Sequence, residues 1–191
     1  MALPKVVDHD ERRRLIAEAV RRIAADRGLE AVSLGEVAAE AGISKGLVQH
    51  YFATKDEMLR YATSTLRTQV ERRMTTGGPA LRELLVALLP MEETARTDAL
   101  VANAFVTRAM KDPEIGARFR DGYEELRKVV AGLVVAEQDA ARVDAALDPE
   151  PEADLLLALV SGLGDAVLLG QRSPGQAEAL IDRQLARLAP R

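Results

Sequence analysis

The sequence predicts an all-α protein, in which three short helices form an N-terminal module and longer helices form a bundle behind it. Alanine, leucine, arginine and glutamate, which favour helices, dominate the 191 residues. No segment alternates apolar and polar residues as a half-buried strand would. Glycine and proline breakers divide the chain into segments of helical length.

About nine helices are expected between these breakers. Gly28 and Gly42 separate the first three segments, and Gly77, Gly78 and Pro79 separate the fourth from the fifth. The predicted segments are 9–27, 33–40, 44–51, 54–76, 79–91, 94–111, 113–140, 152–170 and 174–188.

Capping residues support several of the predicted helix starts. Ser33 and Thr54 are each followed three residues later by a glutamate, which is the pattern of a capping box. Ser44 can cap the third segment, and Pro174 fits a first helical turn after Ser173. The helix starts therefore agree with the positions of the breakers.

The composition argues against several kinds of site. Without cysteine the chain forms neither a disulfide nor a cysteine-ligated metal centre, and two histidines do not support a multi-histidine site. No nucleophile–base pair, phosphate-binding loop or metal-ligand spacing indicates an enzyme. No apolar run reaches the roughly 18 residues of a membrane span, and the N-terminus lacks a signal-peptide pattern. We expect a cytoplasmic, non-enzymatic protein without metal, cofactor or membrane anchor.

The charge is unevenly distributed along an acidic chain. Residues 1–75 carry 13 Lys and Arg against 11 Asp and Glu, whereas residues 76–191 carry 13 against 19. A net charge of +2 in front of −6 suits a protein whose first segment meets an anion such as nucleic acid. Ordinary scatter of surface charge also gives a difference of this size.

Two short helices are predicted to meet within residues 33–52. Gly42 can adopt the left-handed conformation that ends the first helix and turns the chain. Ala38 lies where the helices pass closest, so its side chain must be small. This spacing is typical of a helix-turn-helix. The predicted buried face consists of Leu34, Val37, Ile43, Val48 and Tyr51.

The second of these helices presents a polar face to the outside. A helix N-terminus suits a phosphate, Gln can read adenine edges, and Lys and Ser can reach phosphates or bases. A plain helical hairpin with a solvated face is the alternative. The outward residues are Ser44, Lys45, Leu47, Gln49 and His50.

From Arg13 to Met58 the chain resembles the TetR family of one-component transcriptional regulators. The most specific part is Tyr51-Phe52, followed by Lys55 and Met58 at three-residue intervals. The string of residues 48–52 is similar to the Bet-type subgroup of choline-responsive repressors. The matching residues are Leu15, Ile16, Ala19, Ile23, Gly28, Ser33, Leu34, Val37, Ala38, Ala41, Gly42, Ile43, Ser44, Gly46, Tyr51, Phe52, Lys55 and Met58.

The resemblance implies a homodimeric regulator, most often a repressor, that binds a palindromic operator and is released by a small-molecule effector. Residues 1–55 would bind DNA, and residues 56–191 would bind the effector and form the dimer. The family usually has a small or hydroxyl residue at Leu47 and often a tyrosine at Gln49. The implied DNA contacts are Ser33, Ser44, Lys45, Gly46, Leu47, Gln49, His50, Tyr51, Thr54 and Lys55.

Three consecutive arginines, residues 12–14, precede the core of the first helix. They lie either near the DNA backbone or minor groove, or in a solvated run balanced by Asp8, Asp10 and Glu11. We expect at least one of the three to be solvated.

The effector site implied by the resemblance has weak sequence signals. Segment 94–111 is mostly apolar, yet Asn103 and Thr107 recur within it, and buried polar groups need partners. A ligand or, more commonly, neighbouring backbone can supply them. Phe105, Phe119 and Tyr123 complete the candidate pocket, although core positions are the commoner role for such residues. With 3% aromatic residues, no cage for a quaternary ammonium is evident, which argues against choline.

A stripe of small residues in segment 152–170 predicts a subunit contact. Ala158, Gly162 and Ala166 recur every four residues, so another helix can approach closely. The last helix adds an apolar face, from which Ile181 and Leu185 are assigned to the interface. Packing within one subunit is the alternative. The full face is Ala177, Leu180, Ile181, Leu185 and Leu188.

Two other functions compete with this interpretation. A helical-bundle protein that binds a small molecule, or an enzyme, would not bind DNA at all. A regulator that has lost ligand control would bind DNA but enclose no cavity.

Overall fold

A computed structural model gives the structure of the protein and describes residues 9–62 and 80–190. Within these ranges the chain forms nine α-helical segments and no strand, which confirms the all-α prediction. The helices are α1 (His9–Arg27), α2 (Leu34–Ala41), α3 (Lys45–Tyr51), α4 (described over 55–62), α5 (Leu81–Ala87), α6 (Glu93–Ala109), α7 (Pro113–Asp139), α8 (Pro149–Leu168) and α9 (Pro174–Arg187), and a 3-10 turn covers Leu29–Ala31.

Helix α8 begins three residues earlier than the sequence predicted. The carboxylate of Asp148 accepts a hydrogen bond from the Glu150 N–H at 3.2 Å and caps the helix. Pro149 and Pro151 fit the first turn because the N–H groups there have no intrahelical partner to lose. Helix α5 is shorter than segment 79–91 and ends before Pro90. The remainder of the predicted segment 54–76 lies outside the described residues.

The described residues form two units. Residues 9–62 and Leu100–Phe105 make up the N-terminal unit, and residues 80–99 and 106–190 make up the C-terminal unit. In the N-terminal unit, α1 packs on α2, and α2 packs on α3. Buried apolar residues recur at intervals of three and four along α1, as expected for a helix with one face in a core. The core includes Ile16, Val20, Ile23, Val37, Val48, Phe52 and Met58.

The C-terminal unit is a helical bundle in which α7 packs along α8, and α9 packs on α5 and α8. Gln138 closes the connection between α7 and α8, since its Nε2 donates to the carbonyls of Asp144 at 3.0 Å and Leu147 at 2.9 Å. None of the helices in the described ranges is long and apolar enough to cross a membrane. The bundle core includes Leu81, Leu85, Val130, Val134, Leu156, Val160 and Ile181.

Candidate functional site

Gly42 makes the turn between α2 and α3. Its φ of 65° and ψ of 32° lie in the left-handed region, which confirms the prediction from the sequence. The following N–H, of Ile43, donates to the carbonyl of Ala38 at 3.0 Å and closes the end of α2. Ala38 is buried, and a small side chain is what a position between two closely packed helices requires. The helix-turn-helix is therefore fixed by local backbone chemistry.

Serine hydroxyls begin both helices of this motif. Ser33 Oγ accepts from the Glu36 N–H at 3.2 Å, and Ser44 Oγ accepts from the Leu47 N–H at 3.2 Å. Both serines cap their helices as predicted, whereas the Glu36 carboxylate, predicted to complete a capping box with Ser33, accepts a hydrogen bond from Arg27. An N-cap of this kind contributes about 1 kcal/mol, a useful amount for helices of only two turns.

Two buried side chains hold α3 in place. Val48 and Phe52 are both 0% exposed, and Tyr51 is half-buried. The opposite side is exposed at Ser44, Lys45, Gly46, Gln49 and His50, whereas Leu47 is half-buried. Apart from Leu47, the predicted outward face is therefore exposed, and it carries amide, ammonium, hydroxyl and imidazole groups side by side.

Tyr51 contacts both histidines of the chain. Its ring centre lies 4.7 Å from that of His9 and 5.1 Å from that of His50. The start of α1 and the end of α3 meet at this aromatic cluster. Sequence reasoning missed His9, because nothing local links positions 9 and 51.

The three consecutive arginines of α1 have different surroundings. Arg14 is exposed, and Arg12 is half-buried. The guanidinium of Arg13 lies over the rings of Phe52 and Tyr61, at 4.7 and 4.6 Å from their centres. Arg13 is therefore not a freely solvated side chain, and Arg14 is the exposed one of the three.

Helix α4 begins at a capped joint. Thr54 Oγ1 accepts from the Glu57 N–H at 3.1 Å, while Glu57 Oε2 accepts from the Ala53 N–H at 2.9 Å. The predicted Thr54 cap is confirmed, although the return bond goes to Ala53 rather than to Thr54. Lys55 lies in the first turn, half-buried.

Other arginines of α1 are paired with α2. Arg22 Nε lies 2.6 Å from Glu40 Oε1, and Arg27 Nη1 lies 2.7 Å from Glu36 Oε2. Exposed pairs of this kind contribute little to stability, about 0–1 kcal/mol. Both guanidinium groups are engaged within the protein, and the net charge of the unit is unchanged because the paired glutamates are already in the count.

The candidate effector residues are spread over both units. Asn103 and Phe105 belong to the N-terminal unit, whereas Thr107, Phe119 and Tyr123 belong to the C-terminal unit. Phe105 is buried and Phe119 is half-buried, but Asn103 and Thr107 are exposed. The expectation that both polar groups lie on a buried face is therefore wrong for these two residues.

Tyr123 is not a core residue, contrary to expectation. It is 44% exposed, and its hydroxyl donates to Asp154 Oδ1 of α8 at 3.0 Å. Partial burial and the neighbouring carboxylate raise the pKa of the Tyr123 phenol. A polar partner at the surface therefore accounts for its position.

A cleft of about 360 Å³ lies in the C-terminal unit, beside α5, the end of α7 and α9. Arg82 lies at this cleft and pairs with Asp182, and Arg142 pairs with Glu137. The five candidate effector residues do not line it. Its lining consists of Ala80, Leu81, Arg82, Glu137, Arg142, Val143 and Leu185.

The candidate dimer residues divide into an exposed and a buried group. Ala158 and Gly162 are exposed and Ala166 is half-buried. Ile181 is 0% exposed within its own unit, which leaves it unavailable to a partner, so its assignment to an interface is wrong. Helix α9 has one wide apolar stripe, and this stripe packs inside the bundle. Leu185 is half-buried at the cleft.

Both the N-terminal and the C-terminal part of the chain match known protein families. Residues 16–62 match the family of bacterial regulatory proteins of the tetR family, and residues 79–190 match the BetI-type transcriptional repressor C-terminal family. The HTH-type transcriptional regulator PksA of Bacillus subtilis is 34% identical over 171 residues, which cover 84% of this chain and 80% of that one. The HTH-type transcriptional regulator BetI of Rhizobium meliloti is 31% identical over 103 residues, 54% of this chain and 46% of the relative.

Solved structures agree with these matches. A transcriptional regulator from Rhodococcus sp. Rha1 superposes with a TM-score of 0.77 at 31% identity, covering 92% of this chain and 95% of that one. A regulator from Saccharomonospora viridis in complex with choline gives a TM-score of 0.80 at 26% identity, covering 91% and 95%. The fold, the helix-turn-helix module and the sequence matches agree: this chain belongs to the TetR family of DNA-binding transcriptional regulators, and its C-terminal part is of the BetI type.

Proposed function

We propose that this regulator is a homodimeric repressor, which binds a palindromic operator through α3 and leaves it when a small-molecule effector binds the C-terminal bundle. The observation that carries the proposal is the exposed face of α3, which Val48 and Phe52 anchor from behind. A helix held in this way can enter a major groove without disturbing its own core. In this proposal, residues 1–55 bind DNA in the cytoplasm, and residues 56–191 bind effector and partner.

The exposed side chains divide into base-reading and positioning roles. Gln49 reads a base edge, because its amide can donate and accept at once, as adenine requires. Lys45 and Lys55 approach phosphates, which position the module without carrying sequence information. The remaining proposed contacts are Ser33, Ser44, Gly46, Leu47, His50, Tyr51 and Thr54.

A stripe along α8 forms the centre of the proposed dimer interface. A Cβ atom built at Gly162 would meet none of the described atoms within 4 Å, so residues 9–62 and 80–190 leave the space above this residue open. Large apolar residues flank the stripe: Leu155 is 60% exposed and Leu169 is 71% exposed. Apolar side chains at this exposure next to a small residue suit a second helix packed against them. Ala158 and Ala166 continue the same stripe.

The proposed effector is a molecule other than choline. Binding of a quaternary ammonium favours several aromatic faces arranged around the cation. Only Phe105, Phe119 and Tyr123 among the aromatic residues follow position 62. Of these, Tyr123 is at the surface and bonded to Asp154. The likeness to the choline-bound regulator therefore supports an effector-binding role for the bundle. The aromatic residues of this chain support an effector that is not choline.

Selection of DNA by the full chain tests the proposal. Duplexes that the protein retains from a random pool should converge on an inverted repeat, with half-sites about one helical turn apart, or a multiple of it. Sedimentation of the complex should give an even number of chains per duplex. Retention of random sequence only, with no convergence, would favour a helical-bundle protein that does not read DNA.

A further inference from the structure

Arg13 lies against the two aromatic side chains at the joint between α3 and α4. Its guanidinium carbon is 4.7 Å from the ring centre of Phe52 and 4.6 Å from that of Tyr61. The two ring centres are 5.4 Å apart, and the rings are inclined at 53°. One cation on α1 therefore contacts the residue that ends α3 and a residue in the second turn of α4.

Glu57 connects the guanidinium of Arg13 to the backbone between α3 and α4. Its Oε1 is 3.9 Å from Arg13 Nη2, and its Oε2 accepts a hydrogen bond from the Ala53 N–H at 2.9 Å. Arg13 Nε is buried, and no acceptor in the described part of the chain reaches it. Two ring faces and one carboxylate therefore hold the guanidinium.

This arrangement separates Arg13 from its neighbours in the sequence. An arginine that binds a phosphate presents its N–H groups to the DNA. The side chain of Arg13 is 29% exposed and is engaged inside the N-terminal unit, whereas Arg14 is exposed. The two residues carry the same charge one position apart, so they form a natural pair for comparison.

We infer that Arg13 is a positioning residue for operator recognition, an inference that rests on the proposed role of α3 in reading DNA. Arg13 fixes Phe52 relative to Tyr61 and so fixes the last turn of α3, which carries Gln49 and His50. Hydrogen bonds to base edges depend on this orientation, since they are short and directional. Attraction to phosphates acts over about 10 Å and tolerates small rotations.

The planar shape of the guanidinium is part of the inference. A guanidinium is flat and weakly hydrated, so it can lie over two aromatic rings at once. An ammonium is a compact and strongly hydrated charge, and lysine therefore keeps the charge of position 13 without keeping both ring contacts. Arg13→Lys is thus expected to weaken operator recognition, as Arg13→Met does, although it keeps the positive charge.

The test compares Arg13→Met, Arg13→Lys and the control Arg14→Met in the full chain. The probes are the duplex that the wild-type chain selects from a random pool and a random duplex of equal length. Both Arg13 variants should bind the selected duplex more weakly, by at most about tenfold, which corresponds to the full energy of two cation–π contacts of moderate strength. Their affinity for the random duplex and the slope of affinity against salt should stay as in the wild type, because no phosphate contact is lost. Arg14→Met should keep the ratio of the two affinities.

Several results would overturn the inference. A salt slope that falls by about 1 in Arg13→Met would make Arg13 a phosphate contact instead. Full recovery in Arg13→Lys would show that charge alone matters. If Arg13→Met does not fold, Tyr61→Leu decides: it removes one ring face, and an unchanged ratio of affinities there overturns the inference. A wild-type chain that selects no duplex would refute the proposed function itself, a result distinct from all of these.

Discussion

The hydroxyl of Thr54 accepts a hydrogen bond from the backbone N–H of Glu57 at 3.1 Å and thereby fixes the residue at which α4 begins. Lys55 is consequently held in the first turn of that helix. A lysine in this position is anchored at its backbone, while its ammonium group can extend to a phosphate.

Replacement of Lys55 by alanine should weaken binding to specific and random DNA equally. A phosphate contact carries no sequence information, so both affinities fall together, and the slope of log affinity against log salt should decrease by about 1. Mobility shifts at several salt concentrations measure this. Lys128→Ala, on an exposed position of α7, is the control and should leave the slope alone. An unchanged slope for Lys55→Ala would place this residue away from the DNA.

Replacement of Gln49 by alanine should have the opposite pattern. Loss of a base-edge contact should cost about 1–3 kcal/mol on the selected duplex and little on random DNA. Competition binding with both duplexes measures the difference, and the exposed Gln171 of the C-terminal unit provides the control substitution. If both affinities dropped in parallel, Gln49 would position the helix rather than read a base.

Replacement of Gly162 by leucine should give a helical monomer. The change adds helix propensity, worth up to about 1 kcal/mol, and meets none of the described atoms of its own subunit, so folding should persist while the partner is pushed away. Operator affinity should fall toward the non-specific level, because one helix-turn-helix covers only one half-site. Sedimentation and mobility shift measure the two effects.

Gly132→Leu is the matched control for this experiment. Gly132 is also exposed and helical, with no described atom within 4 Å of an added Cβ, but it belongs to α7 and not to the stripe on α8. The Gly132→Leu protein should remain a dimer. A dimeric Gly162→Leu protein with normal operator binding would show that the stripe does not form the interface.

Replacement of Gly42 by alanine should destabilise the N-terminal unit. A residue with a Cβ at φ 65° costs about 1–2 kcal/mol relative to glycine. Gly46→Ala is the contrast, because Gly46 is inside α3 with no described atom within 4 Å of the added Cβ, and stability should rise there by about 0.5–1 kcal/mol. Thermal unfolding of both variants measures the expected loss of stability in Gly42→Ala and the expected gain in Gly46→Ala. Equal effects would mean that backbone conformation does not decide stability at the turn.

The pair of Arg82 and Asp182 should stabilise the C-terminal unit at any pH above the ordinary pKa of aspartate, and the stabilisation should be lost in acid. Hydrogen bonds from Arg82, 2.6 Å from Nε to Oδ1 and 3.0 Å from Nη2 to Oδ2, hold the pKa of Asp182 below its ordinary value. The folded state therefore favours the charged carboxylate. Its contribution is complete above the ordinary aspartate pKa of about 3.9 and disappears as the pH falls through the lower folded pKa.

Asp182→Asn should accordingly lower the free energy of unfolding by less than about 1 kcal/mol at pH 7, because both side chains are 46% exposed. The difference from the wild type should shrink as the pH falls below about 4. Urea unfolding across a pH series measures it, with Asp139→Asn as the control. A difference that is constant with pH would mean that the ion pair is not its source.

The features that the sequence predicted best are those that depend on short chain separations. Ser33, Ser44 and Thr54 accept hydrogen bonds from residues three positions ahead, so their roles follow from the local sequence alone. Gly42 is similar, since a left-handed residue is required wherever two helices meet at so short a turn. The helix-turn-helix could therefore be predicted almost residue by residue.

The features that were missed depend on contacts between distant residues. Nothing in the sequence indicates that His9 meets Tyr51 or that Arg13 covers Phe52, because these contacts form only when α1 packs on the end of α3. Likewise, Ile181 and Leu180 are adjacent apolar residues, and only the packing of α9 decides that Ile181 is buried while Leu180 is 37% exposed. Periodicity identifies an apolar face but does not identify its partner.

Of the seven residues of α3, Val48 alone is fully buried. Substitutions at Lys45, Gln49 and His50, which lie on the face proposed to meet DNA, therefore leave the buried residue of this helix unchanged. Sequence preference and stability are separate properties of this helix, so a library randomised at those three positions should consist mainly of folded proteins. After a gene duplication, two copies of such a regulator can diverge to different operators in single steps, without passing through an unfolded ancestor.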